Sequence, residues 1–147
     1  MPGLAPADWL VVGEPLDGAG AQAQQLLENM LRAIGVGLVA PDRERRAAYC
    51  ALPGAVAPGG TPDAAVLEAA LATVAPRCVL AFGRAAAAAL LGADAPLGGL
   101  RGRVHAHAGV PVVVTLPVVF LLRHPAEKAK AWADLCLAVR AISAPAS

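Results

Sequence analysis

The chain has 147 residues and a formal net charge of +1, enough for one domain that buries roughly two-thirds of its unfolded surface. Hydrophobic residues make up 57% but aromatic ones only 3%, so the core must be assembled from Ala, Val and Leu. Pro, Gly or Arg breaks every apolar run short of the ~18 residues that a membrane span needs, and the near-neutral charge gives no global pull towards nucleic acid.

The opening residues carry neither the basic stretch nor the long apolar run of a secretory signal. Cys50, Cys78 and Cys136 are odd in number and widely spaced, which fits neither a disulfide framework nor a CxxC metal site. A cytoplasmic location without membrane contact is the expectation.

Residues 8–13 form a short β-branched run bounded by a turn, which predicts a buried strand. The loop from Glu14 to Gly18 follows. Over residues 19–34, Leu26, Leu27, Met30, Leu31 and Ile34 fall on one helical face, and Gly35 closes the helix. Residues 41–46 are a charged connector, 47–52 a second strand, and 53–60 a Pro/Gly-rich loop. Thr61, Pro62 and Asp63 give an N-cap, a first helical Pro and a first-turn acid, with Val66, Leu67, Ala70, Leu71 and Val74 as the buried face.

Residues 76–83 predict a strand ending at Gly83, and 84–91 a short Ala-rich helix. Residues 104–108 alternate like a strand, and 110–115 form another buried one. Residues 115–125 read as a strand end running into a loop at the rim of the sheet. His124-Pro125 then opens the last helix, where Trp132, Leu135, Cys136 and Val139 share a face. A tail over 143–147 is expected to be disordered. This alternation predicts a single α/β domain over residues 1–142, with three α/β/α layers and a mostly parallel sheet of four to five strands.

Several motifs stand in an order that carries further meaning. Val11-Val12-Gly13-Glu14 is a strand delivering Gly-Glu to a loop, followed by the helix that holds Gln24 to Gly35. Residues 75–86 with Leu90, Leu91 and Gly92 form a strand–Gly–helix unit, and Leu100-Arg101-Gly102 precedes the next strand. Leu121, Leu122, Arg123, His124 and Pro125, with Lys128 and Trp132, close the series. Together these resemble the uracil-DNA glycosylase-like superfamily, of the family-4 type, across nearly the whole chain.

The resemblance implies a site at the strand ends, and each departure from the family pattern removes chemistry from it. Base excision needs a pocket with an aromatic to stack the flipped base and polar groups to read its edge. In the family the loop after Gly-Glu supplies the aromatic, and the loop from Glu14 to Gly20 has none. The family's second strand presents an Asn and a Cys ligand to an iron–sulfur cluster. Tyr49-Cys50 keeps the Cys without an Asn before it, and one thiolate cannot hold a cluster that needs four ligands. The His of the last motif is replaced at Leu116 or Pro117. The resemblance therefore implies a degenerate pocket made by Gly13, Glu14, Leu16, Leu116 and Pro117, with no cofactor and no metal.

A shortened domain of this kind also resembles the psi subunit of the bacterial DNA polymerase III clamp loader, through residues 10–36 and 113–135. Psi chains carry an N-terminal docking extension, whereas residues 1–7 precede the first strand here.

Other candidates have plainer readings. Glu14, with Asp17 as a weaker substitute, is the residue to activate water if catalysis survives. His105 and His107 point the same way on a strand and with His124 sketch a nitrogen metal site, against the favoured reading of surface histidines on an edge strand. Arg43, Arg45 and Arg46 alternate with Asp42 and Glu44 as a solvated connector. Arg101, Arg103 and Arg123 are the candidate DNA contacts, for weak binding at most. Trp9 and Trp132 are both expected in the core. The leading expectation is a non-catalytic interaction subunit of DNA replication or repair, most like psi, engaging a clamp-loader or repair protein. The alternative is a uracil-DNA glycosylase lacking the iron–sulfur cluster.

Overall fold

A computed structural model describes residues 6–13, 21–38, 42, 45–52, 62–91 and 97–143. The strands are β1 (Trp9–Gly13), β2 (Ala47–Ala51), β3 (Cys78–Phe82), β4 (Val104–His107) and β5 (Val110–Thr115). The helices are α1 (Ala21–Ala33), α2 (Pro62–Val74), α3 (Arg84–Leu91), α4 (Leu97–Leu100), α5 (Val118–Arg123) and α6 (Lys128–Ser143), with a 3₁₀ turn at Pro125–Glu127 before α6. The sheet runs β2-β1-β3-β5-β4. Neighbours are parallel except β4, which pairs antiparallel with β5. The α/β class and the mostly parallel five-stranded sheet expected from the sequence are therefore present.

Strand periodicity divides the core in two. Leu10, Val12, Val79, Ala81, Val112 and Val114 face Leu67, Ala70 and Val74 of α2 and Ala86, Ala87 and Leu90 of α3. Trp9, Val11, Leu80, Phe82 and Val113 face Ala23, Leu27 and Leu31 of α1, Val118 of α5 and Leu135 and Ala138 of α6. Burial on both faces explains why the parallel strands are continuous apolar runs rather than alternating ones. The small side chains suffice because two helical layers close on one sheet.

Helix α1 ends as its sequence predicts. Gly35 adopts φ 81, the Gly35 N–H donates to the Arg32 carbonyl and the Val36 N–H to that of Leu31. This paired pattern satisfies the last carbonyls, and buried Val36 seals it.

Two expectations are corrected and one element is new. Residues 115–125 are not a loop: Leu116 and Pro117 are a two-residue link, and Val118–Arg123 is helix α5. A five-residue apolar run does not by itself distinguish helix from strand or rim. The short helix α4 was likewise unforeseen. The buried face of α6 is Ala131, Asp134, Leu135 and Ala138, so Trp132 lies outside the core at 46% exposure, whereas Trp9 is buried as expected. The face is rotated because Asp134 points inward to a polar partner, which a hydrophobic pattern cannot anticipate. Helix α6 runs through Ser143; the expected disorder of the tail beyond it lies outside the described residues.

Candidate functional site

The chain leaves β1 for β2 on one side and then crosses to β3 on the other. In an open α/β sheet the carboxyl ends of strands at such a reversal frame the ligand crevice. Here they bring together Gly13, Phe82, Gly83 and Pro117. A Cβ at Gly13 would stand 2.8 Å from the Tyr49 hydroxyl and 3.4 Å from Phe82 Cβ, so Gly13 is the vacancy into which the Tyr49 phenol leans. Gly83, at φ 104, would place a Cβ 3.2 Å from Pro117 Cγ, and its N–H donates to the Thr115 carbonyl at 3.0 Å. A side chain at Gly13 would displace the Tyr49 hydroxyl, and Gly83 is required by its positive φ together with the close Pro117 ring.

Of the degenerate pocket expected from the sequence, Gly13 and Pro117 meet around Phe82 and Gly83, and Leu116 is half-buried beside Pro117. Glu14, Leu16 and Asp17 lie outside the described residues. Tyr49 was overlooked as a group of this crevice. Its signal was the parallel register, which sets Tyr49 opposite Val11, two residues short of Gly13.

Beneath the crevice lies a polar network that the sequence reading missed. Thr115 Oγ1 donates to Asp134 Oδ2 at 2.8 Å, and Arg101 Nε donates to the same oxygen at 2.7 Å. A second guanidinium nitrogen of Arg101 donates to the Lys130 carbonyl at 3.1 Å. Asp134 and Thr115 are buried, and the Arg101 side chain is 19% exposed. Buried charge is tolerated only when paired and hydrogen-bonded, and here the pairing fastens the turn after α4 and the end of β5 to α6.

The three candidate DNA contacts are thus not equivalent. Arg101 is committed to Asp134, whereas Arg103 and Arg123 are exposed. Around the 3₁₀ turn, Glu127 is held below the ordinary carboxylate range by a hydrogen bond from Lys130, reinforced by the charges of Lys130, His124 and Arg101.

The histidines do not converge. His105 and His107 share a face as expected on an edge strand, but each is half-buried and anchored: His105 Nε2 to the Leu100 carbonyl at 2.8 Å, and His107 Nδ1 to that of Leu90 at 2.7 Å. His107 Nε2 also approaches Glu68 at 3.2 Å. His124 instead packs on Phe120, with ring centroids 4.6 Å apart and the planes tilted by 34°. Among the described residues no group of three or more His, Cys, Asp or Glu is placed to hold a metal ion. Cys50 and Cys78 are buried in opposite layers, and all three cysteines are free thiols. Burial pushes the Cys78 thiol up to about 12.

In the charged connector, Arg45 pairs with Asp42 and Arg46 donates to the Pro6 carbonyl at 2.8 Å. Arg77 bridges the opposite end of the sheet, approaching Asp8 at 3.5 Å and donating to the Ile142 carbonyl at 3.1 Å. These contacts are remote from the crevice.

No protein-family model matches this chain, and no curated protein matches it significantly. No helix among the described residues is long and apolar enough to cross a membrane.

Proposed function

We propose that this chain is a non-catalytic protein of the uracil-DNA glycosylase-like fold that acts as an interaction subunit in DNA replication or repair, most like the psi subunit. The observation that carries the reading is the end of β5. Where the resemblance calls for a His, the link holds Leu116 and Pro117, and the Pro117 ring rests against Gly83. The ionisable groups next to that strand end, Asp134 and Arg101, are spent on each other and on Thr115. General acid–base work needs a titratable group within hydrogen-bond reach of the reacting atoms, and the described part of the crevice offers the Tyr49 phenol as its one candidate, beside apolar side chains.

The partner expected is a clamp-loader or repair protein, engaged from the cytoplasm. Titration of the purified chain with the chi subunit and the clamp-loader core of its source organism, followed by calorimetry, tests the reading. A stoichiometric complex is expected. Absence of binding to both, at concentrations where clamp-loader subunits associate with one another, removes the psi-like assignment.

A further inference from the structure

Helix α6 leaves a distinct outer stripe. Lys128, Trp132, Cys136, Val139 and Arg140 follow one another at helical spacing. Trp132 is 46% exposed, Cys136 is half-buried, Val139 is half-buried and packs against the core beside Leu135 and Ala138, and Lys128 and Arg140 are exposed. Carboxylates that would neutralise the two cations are already taken: Glu127 pairs with Lys130 and Asp134 with Arg101. Among the described residues the stripe is an aromatic and apolar strip with a positive charge at each end. It spans about 18 Å at 1.5 Å per residue. A large exposed Trp in so aromatic-poor a chain is the residue type that anchors protein interfaces, and the unmatched cations select for negative charge in whatever covers it.

We infer that this face of α6 is the docking site for an acidic segment of a partner protein, with an apolar anchor seated on Trp132 and carboxylates meeting Lys128 and Arg140. The inference rests on the reading of the chain as an interaction module and supplies the surface and partner chemistry for it. Single-stranded nucleic acid also combines negative charge with stacking groups. Lys128 and Arg140 would meet phosphates as readily as carboxylates, but Trp132 is the one aromatic on the stripe, where a strand of bases calls for successive stacking platforms, which favours a peptide.

A display selection of random peptides of about 16 residues, long enough to cover the stripe as a helix, is run on the intact chain. Binding of the enriched peptides is then measured by fluorescence anisotropy. The enriched peptides are expected to be rich in Asp and Glu with Leu, Phe or Trp anchors. Their affinity is expected to fall by about tenfold or more in Trp132→Ala and in Lys128→Glu. It should stay unchanged in Val104→Ala, which trims an equally exposed apolar residue on the edge strand. Circular dichroism checks that each variant is folded.

Enrichment without acidic character, or binding indifferent to Trp132→Ala, overturns the inference. So does oligothymidylate that quenches Trp132 emission while no acidic peptide binds. A clamp-loader complex that survives Trp132→Ala leaves the proposed function standing and removes this surface. Peptide binding that requires Trp132, with no clamp-loader complex, does the reverse.

Discussion

Removing the Asp134 carboxylate would strand two partners at once. Thr115 would lose the acceptor of a buried hydroxyl, and Arg101 would keep its charge with little solvent around it. Breaking one side of a buried pair is far costlier than the pair is worth intact. Asp134→Ala is therefore expected to lower unfolding stability by about 3 kcal/mol in urea titration, and Thr115→Val by about 1 kcal/mol. In the double variant the two losses should fall short of additive; full additivity would mean that the groups act separately.

The thiols give a second residue-scale expectation. Cys136 should react first with a thiol reagent, while buried Cys50 and Cys78 react only on unfolding. The folded pKa of Cys78, about 12 against an ordinary 9.0, means that the native state holds its proton more tightly than the unfolded chain. Its contribution to stability is present below pH 9 and lost as pH rises towards 12. Cys78→Ala should abolish that part of the alkaline loss, read from midpoints across the same range.

Helix α6 shows what can be decided only when a helix meets its sheet. Its amphipathic pattern is broad enough to accept either Trp132 and Cys136 or Ala131 and Asp134 on the inner face, and hydrophobicity alone chooses the tryptophan. The polar tie to Thr115 and Arg101 turns Asp134 inward and Trp132 outward. Trp132→Ala should accordingly shift stability by about 0.5 kcal/mol or less, whereas Leu135→Ala, in the same turn but buried, should cost about 3 kcal/mol. Equal costs would restore Trp132 to the core.

The strands were easier to read, because β1, β3 and β5 are short apolar runs closed by Gly or Pro and have no competing helical face. Residues 118–122 have the same apolar character, yet they form α5. Pro117, in an extended conformation at φ −61, ends the sheet path, and Val118 and Leu121 supply the buried face. Gly35 was legible because left-handed backbone at a helix end demands it, and Gly35→Ala should cost about 1 kcal/mol in thermal unfolding.

At the scale of the whole molecule, the sheet order brings Gly13, Tyr49, Phe82, Gly83 and Pro117, far apart in sequence, to one crevice. Motif order grouped Gly13 with Pro117 in the sequence, and in the structure the two flank Phe82 and Gly83. Tyr49 and the Asp134 network were not legible in the sequence, since both depend on strand register and on a helix rotation that no local pattern encodes. The strand ends at the β1–β3 reversal stand where open α/β sheets hold ligands, while among Gly13, Tyr49, Phe82, Gly83 and Pro117 the one titratable side chain is the Tyr49 phenol.

The most direct test of that contrast is release of uracil from single- and double-stranded DNA, measured at high protein concentration with Glu14→Ala alongside. No release above the protein-free control is expected from either protein. Release by the native chain that Glu14→Ala abolishes would contradict the non-catalytic reading and make Glu14 the centre of a working site.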